Sequence, residues 1–528
     1  MTAEDDINKL ECFTGWCKAK ENGRCPYFSE YDIISTMSKN KVLLVYVQEY
    51  GLVDPAQKYS PNIVYMPLGV LYLGSYLKAR GIEVGILDTR LQKKEDFLAA
   101  LKNMIPETYL VGLSVMSPYI KPALDITRLV KSMDPSVRTV WGGIHATLFP
   151  LPTLRNEAID YVIVKEGEKG LFQLAQTKYR SISDLGGIPN LFFKKDGKIS
   201  QNPSGEPETF SAIGLPDYSL VNTEIYFNRI VLDGRPMRVA EVITARGCPH
   251  QCAFCVNVVI YHRHWYGETV SELEENLDLL IGKYNIKHVF FLDEDFFCNP
   301  ARLKDFLPMI GRKNITWETS CRVDYLNDTY VNDRLLEDLR KKGCVKLRFG
   351  VESGSLRILE LLKKEITPAQ SLEAVKKTFS HGMIPSVSFM MGVPGETIED
   401  ILMTMALIVK MFEVAPNLDL IGPQVFRPYP GGELFETAQK MGLKVPEKLD
   451  DWSDFFIADY RETLPWIKEK DLFNRIILFR NILRRPRGNG LYWWIKRMLL
   501  KFHLKTKLCL IPANYYLYLI FKRILRRN

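Results

Sequence analysis

Between residues 269 and 436 the hydrophobic period of the chain switches repeatedly, and that alternation restricts the fold more than any other feature. "TVSELEENLDLLIGKYN" (269–285) has apolar residues at helical spacing and an acidic start, and "IKHVFFLDEDFF" (286–297) is a buried-strand run ending in carboxylates. "NITWETSCRVD" reads as a strand and "NDRLLEDLRKKG" as a helix that stops at Gly343. "CVKLRFGVESGS" and "MIPSVSFMMGVPGET" repeat the pattern, each with a helix behind it. Strands alternating with helices argue for parallel β/α units, and in a β/α barrel the chemistry collects at the C-terminal strand ends. Asp293, Asp295, Arg322, Glu352 and Glu396 all fall at or just beyond such ends.

Immediately before this region, "TARGCPHQCAFC" (244–255) places Cys248, Cys252 and Cys255 three and two residues apart. A structural zinc site wants four ligands, and no second pair follows at ribbon spacing. A disulfide framework wants a short secreted chain. This one has 528 residues with ten cysteines, and its start, "MTAEDDINKL", is acidic and polar, so reduced cytosolic thiols are expected. Three thiolates suit an iron–sulfur cube with one iron left open, since protein ligation of such clusters is ordinarily by four cysteines.

The Cys-x-x-x-Cys-x-x-Cys loop, with Phe254 before its last cysteine, resembles the radical S-adenosylmethionine superfamily. The resemblance implies a 4Fe–4S cluster on the three cysteines and S-adenosylmethionine on the open iron, cleaved to a 5′-deoxyadenosyl radical. "FLDEDFF" resembles the second-strand segment facing the amino group of S-adenosylmethionine, which implicates Asp293 and Asp295. "GVESGS" is similar to the fourth-strand segment whose glutamate, here Glu352, meets the ribose hydroxyls. "MGVPGETIED", with Gly392 and Glu396, resembles the fifth-strand glycine motif of the adenine and methionine pocket, and "FRPYPGGELFE" the sixth strand end. Glu396 reads equally well as a helix N-terminal acid. Phe254 and Arg322 join the expected S-adenosylmethionine contacts. Tyr261, His262, His264 and Trp265 follow the loop closely and read as substrate-facing or as surface residues.

Residues 41 to 170 read as a second α/β unit. "KVLLVYVQ", "IEVGILD", "TYLVGLSVMS", "VRTVWGG" and "AIDYVIV" are strands, and "LGVLYLGSYLKARG" is an amphipathic helix with a glycine stop. Such an open sheet binds ligands beyond its strand C-termini. No G-x-G-x-x-G follows the first strand and no phosphate-binding G-x-x-x-x-G-K-[ST] occurs. "YMPLGVLYLGSYLKARGIEV", "WGGIHAT" and "DYVIVKEGE" together resemble the cobalamin-binding domain that precedes many radical S-adenosylmethionine barrels. The resemblance implies cobalamin contacts from Gly69, Ser114, Gly142, Gly143, Glu166 and Gly167. The first histidine is His145, far beyond the loop after the first strand, so no histidine of that loop is expected on cobalt; His145 itself reads as a loop residue.

Both ends stand apart. Cys12, Cys17 and Cys25 sit at irregular spacing in a polar stretch and carry no assignment. From Arg475 to Asn528 there are 14 Lys and Arg and no Asp or Glu; the whole chain is +8, so the remainder is −6. Basic residues interleaved with Trp, Tyr and aliphatics suit an anionic membrane surface. A core-packing helical cap fits the same composition, and a nucleic-acid patch fits it less well because the rest of the chain is acidic. The longest uncharged run, "LCLIPANYYLYLIF", is shorter than the roughly 20 apolar residues of a membrane span.

The expected fold is α/β: a doubly wound parallel-sheet domain of cobalamin type (41–175), a linker (176–235), a (β/α) partial barrel (236–445) and a basic helical C-terminal region (446–528), after an extension (1–40). The implied reaction is cobalamin-dependent C-methylation of a hydrophobic, lipid- or isoprenoid-like substrate in the cytoplasm or at a membrane surface. The electron donor would be external, of ferredoxin or flavodoxin type, and no nucleic-acid partner is expected. The alternatives are ring formation or oxidation of a lipid or tetrapyrrole without methyl transfer, a non-catalytic sensor, and a tRNA-modifying radical enzyme, whose RNA-binding module is not seen.

Overall fold

The apolar run "KVLLVY" becomes the buried strand β1 (Lys41–Tyr46), and the first sheet is built around it. The structure, a computed structural model, describes residues 39–51, 64–177, 182–227, 229–232, 235–457 and 464–467. Cys12, Cys17, Cys25 and the basic segment from Arg475 lie outside the described residues.

β2 (Glu83–Asp88), β3 (Thr108–Ser114), β4 (Arg138–Gly142), β5 (Tyr161–Ile163), β6 (Leu191–Lys195) and β7 (Lys198–Gln201) complete a seven-stranded sheet in the order β2-β1-β3-β4-β5-β6-β7. β1 to β5 run parallel, and β6 and β7 close the edge as an antiparallel hairpin. The segment expected as a linker therefore supplies two strands of this sheet. The chain leaves β1 for β2 on one side and returns to β3 on the other, so the topological switch lies between β1 and β3.

Helices α1 (Leu68–Lys78), α2 (Lys94–Met104), α3 (Ile120–Met133), α4 (Ile144–Leu148) and α5 (Glu168–Gln176) connect these strands. α1 is not the simple amphipathic helix expected. Val70 and Leu77 pack on the first sheet, while Leu68, Leu71, Tyr72 and Tyr76 join the core of the second. A helix with two apolar faces must bury both, and here it is the common wall of two domains.

The second sheet contains β8 (Arg229–Leu232), β9 (Arg235–Val242), β12 (His288–Phe291), β13 (Thr316–Ser320), β14 (Cys344–Glu352), β15 (Ile384–Met391) and β16 (Asp419–Val425), in the order β16-β15-β14-β13-β12-β9-β8. Six of them are parallel, and β8 pairs antiparallel with β9 at the edge. A separate ribbon pairs β10 (Ala245–Gly247) with β11 (Trp265–Gly267).

The crossover helices are α6 (Val270–Tyr284), α7 (Pro300–Gly311), α8 (Asp333–Lys341), α9 (Pro368–Ser380) and α10 (Ile398–Val414), with α11 (Glu433–Lys440) after the last strand. Reciprocal capping boxes open three of them: Thr269 with Glu272, Thr367 with Gln370 and Thr397 with Asp400. Val289, Phe291 and Trp317 point outward into the helix layer. The opposite face carries Glu241, His288, Phe290, Glu318, Lys346 and Arg348, so the barrel lumen is polar. Beyond the barrel, α12 (Trp452–Ile457) returns to the first domain, where Trp452 packs on Phe149 with ring centroids 4.3 Å apart. His145 lies beneath it. It is not a loop residue but a fully buried side chain of α4, its Nδ1 2.9 Å from Ser117 Oγ and its pKa pushed down to about 3 by burial.

Candidate active site

The cysteine loop starts and ends on the β10–β11 ribbon, where Gly247 pairs with Trp265. Gly247 has φ +80°, and a Cβ there would stand 2.1 Å from the His264 carbonyl oxygen. Only glycine permits both the backbone conformation and the approach. The loop is pinned at its middle as well: Ala253 N–H donates to Leu362 O at 2.9 Å and Leu434 N–H to Ala253 O at 3.1 Å. The three expected cysteines are thus held on one loop beside the strand ends. Cys252 is buried and Cys248 and Cys255 half-buried.

Their surroundings are specific. Cys248 Sγ lies 3.8 Å from Asp295 Oδ2, and Arg322 Nη1 lies 3.9 Å from Cys252 Sγ. Arg322 is fixed by Asp324 (2.9 Å) and by the Lys364 carbonyl (3.0 Å). Tyr325 donates to Asp295 Oδ2 at 2.8 Å and stands 3.0 Å from His250 Nε2. Burial pushes the Cys248 thiol up to about 12 and raises Cys255. Thiols so placed become thiolates only against a strong local positive charge, which is what a bound iron cluster brings.

The strand ends supply carboxylates around this loop. Asp295 is buried and its Oδ1 has no partner. Glu352 ends β14 at φ +68°, where a bulge between Gly350 and Glu352 turns the carboxylate towards Lys364 Nζ, 3.5 Å away. Such a conformation in a non-glycine residue is strained and typical of functional positions. Phe254 lies under the same ammonium, 5.8 Å from ring centroid to Nζ.

Asp293 and Glu396 are more committed to the protein than the sequence suggested. Thr244 donates to both Asp293 oxygens, from N–H at 2.6 Å and from Oγ1 at 2.5 Å, tying β12 to the root of the cysteine loop. Glu396 accepts from the Gly392 N–H and, at 3.2 Å, from the Val393 N–H. Gly392 itself has φ +83°, and its carbonyl accepts from Trp466 Nε1 at 2.9 Å. The second carboxylate oxygen of Glu396 is buried and unpartnered, and burial pushes its pKa up to about 7. Glu396 therefore shapes the turn after β15 rather than capping α10, whose cap is Thr397. Unpartnered buried oxygens on Asp295 and Glu396 fit a ligand carrying donors.

Trp265 is tied to the Asp295 carbonyl at 3.0 Å and Tyr261 is half-buried, whereas His262 and His264 are exposed. Arg246, Tyr325 and Lys364 escaped the sequence reading. Only Arg246 carried a signal, as the charged residue inside the quoted cysteine stretch.

A second site opens at the C-terminal ends of the first sheet. Ser114, Gly142, Gly143 and Gly167 line a slot there, together with Lys165 and apolar residues of β1, α1 and α5. Gly143 has φ +87°, and a Cβ would approach Val115 N to 2.8 Å. Gly69 and Glu166 are not among the lining residues. Gly69 lies on an exposed part of α1 where an added Cβ meets nothing within 4 Å, and Glu166 is drawn to Arg246 instead. The floor of glycines and short side chains beside the β1–β3 switch point fits a flat, bulky cofactor held by backbone and shape.

The family model described as the Radical SAM superfamily matches residues 242–408, and the model described as the B12 binding domain matches residues 61–175. An uncharacterized methyltransferase of Pyrococcus horikoshii is 32% identical over 70% of this chain and 78% of its own length. The chain belongs to the cobalamin-binding radical S-adenosylmethionine family. It is accordingly a radical S-adenosylmethionine enzyme whose cofactors are a 4Fe–4S cluster, S-adenosylmethionine and cobalamin. An anaerobic magnesium-protoporphyrin IX monomethyl ester cyclase of Rubrivivax gelatinosus is 26% identical over 72% of this chain and 67% of its own. The structure of OxsB, a cobalamin-dependent S-adenosylmethionine radical enzyme, aligns over 93% of this chain and 80% of its own with a TM-score of 0.68. At 16% identity that likeness is one of fold.

Proposed function

We propose that the protein transfers a methyl group to an unactivated carbon of a hydrophobic, lipid- or isoprenoid-like substrate. The observation that carries this reading is the presence on one chain of two cofactor sites: three thiols beside orphaned carboxylate oxygens, and a glycine-floored slot at the neighbouring sheet. The methyltransferase name of the Pyrococcus horikoshii relative supports methylation over other radical outcomes. When bound, the cluster and S-adenosylmethionine supply a carbon radical and cobalamin a transferable methyl group. The side chains bind and orient. Cys248, Cys252 and Cys255 hold the cluster, Asp295 faces the amino group of S-adenosylmethionine, and Glu352, steadied by Lys364, faces its ribose. Ser114, Gly142, Gly143 and Gly167 hold cobalamin. Electrons come from a ferredoxin- or flavodoxin-type donor. The basic, aromatic segment after Arg475 supports a hydrophobic substrate met at the cytoplasmic membrane surface.

The test is anaerobic reconstitution with iron, sulfide and S-adenosylmethionine, with and without cobalamin, quantifying 5′-deoxyadenosine. We expect product that is lost in Cys252→Ala, and cobalamin retained at about one per chain. Deoxyadenosine without retained cobalamin would move the assignment to ring formation or oxidation, a reading supported by the cyclase relative. No deoxyadenosine from a well-formed cluster would remove radical chemistry altogether.

A further inference from the structure

We infer that Arg246 is a positioning residue that couples the cobalamin slot to the cysteine loop, so that each cofactor site tightens the other. The inference rests on the two-cofactor reading above. Arg246 lies on β10, immediately before Gly247 and Cys248. Its guanidinium is buried and paired with two carboxylates of the first domain: with Glu166, and through Nη2 with Glu168 Oε1 at 2.8 Å. The rings of Tyr72 and Phe210 lie 5.8 and 5.5 Å from it.

Glu166 and Glu168 flank Gly167, and Gly167 and Lys165 line the slot. This segment is itself clamped. Lys165 has φ +59°, and its N–H donates to Thr147 Oγ1 at 2.9 Å. Thr147 in turn donates to the carbonyl of Gly143, another lining residue, from its N–H at 3.0 Å and its hydroxyl at 2.9 Å. A continuous path of hydrogen bonds and ion pairs therefore runs from Gly143 through Thr147 and 165–168 to Arg246. It ends at Gly247, which pairs with Trp265 on the ribbon that frames the cysteine loop. A ligand in the slot that fixes 165–168 also fixes the two carboxylates. Arg246 must follow them, because separation would leave charges buried and unpaired. Tyr261 and Tyr266 lie beside Glu166.

Coupling of this kind is reciprocal, and one equilibrium ratio reads it: the affinity for hydroxocobalamin of the cluster-loaded chain over that of the cluster-free chain. In the wild-type protein we expect a ratio of about ten, within the usual range for coupled sites. In the double variant Glu166→Gln/Glu168→Gln, and separately in Arg246→Lys, the ratio should fall to about one while both cofactors still bind. A purely structural role would weaken both affinities and leave the ratio near ten. That result, or a wild-type ratio of one, would overturn the coupling. If Arg246→Lys does not fold, the glutamine pair carries the test alone. Absence of any hydroxocobalamin binding would remove the two-cofactor reading together with this inference, whereas binding without coupling removes only the inference.

Discussion

Gly247 shows how much of the site depends on an atom that is not there. A methyl group at this position would collide with the His264 carbonyl oxygen at 2.1 Å on a backbone already at φ +80°. The relief is to open the β10–β11 ribbon that frames the three thiols. Gly247→Ala is therefore expected to fold, with its barrel core intact, yet to retain less than about a tenth of the wild-type iron after reconstitution. Iron and sulfide assays beside far-ultraviolet circular dichroism check this. Glu268 gives a pH-dependent counterpart. It is buried with one oxygen unpartnered, and burial pushes its pKa up to about 8 from an ordinary 4.5. The folded chain thus keeps a proton that the unfolded chain releases. Its contribution is complete below about pH 4.5 and lost as pH rises through about 8. Glu268→Gln should leave the urea midpoint unchanged at pH 4.5 and raise stability by roughly 2–4 kcal/mol at pH 9. The cysteines were legible because their chemistry is local, within eight residues. Arg246 and Tyr325 were not, because their partners lie 80 and 30 residues away and nothing in the spacing announces them.

At the scale of elements, local signals were decisive where they were weighed. Strand and helix alternation located β12 to β15 and their helices, and Thr269 and Asn332 cap α6 and α8 at the first residues of the two helical segments read from the sequence. The hairpin β6–β7 lies in the segment expected as a linker, although Asp196-Gly197 between its two strands is a hairpin-turn signal. Both residues adopt positive φ, 51° and 72°, as such a turn demands. α1 departs from a simple amphipathic helix for another reason: its second apolar face is explained only by the barrel it touches. α12 follows the same logic. Trp452 is fully buried against Phe149 and 5.5 Å from the His145 ring, so it seals the first domain with a segment from beyond the barrel. Trp452→Ala should cost about 3–5 kcal/mol. Limited proteolysis should then release the first domain at lower denaturant, while the iron content of the cysteine loop stays at the wild-type level.

Across the whole molecule, the two sheets share one continuous wall. The barrel core includes Leu68, Leu71, Tyr72 and Tyr76 of α1, and Tyr226 donates to Asp88 of the first domain at 2.7 Å. Neither cofactor site is therefore free to drift from the other, which suits a reaction that uses both on one substrate. The architecture was legible from period and motif; the substrate was not, because lumen residues such as Arg348 and Lys346 are polar without naming a ligand. The remaining clue is the distribution of charge. Among the described residues no helix is long and apolar enough to cross a membrane, yet the segment from Arg475 to Asn528 has 14 basic residues and no acidic ones in a chain whose remainder is −6. Each Lys or Arg near an anionic surface contributes up to about 1 kcal/mol, screened by salt within a Debye length. The full chain should co-float with vesicles containing anionic lipid at low salt. It should be released at about 0.5 M salt if charge dominates, and be retained in part if aromatic side chains also insert. A chain ending before Arg475 should stay in the soluble fraction throughout. Equal flotation of the two chains would take the membrane contact away from this segment, and with it the argument for a lipid substrate.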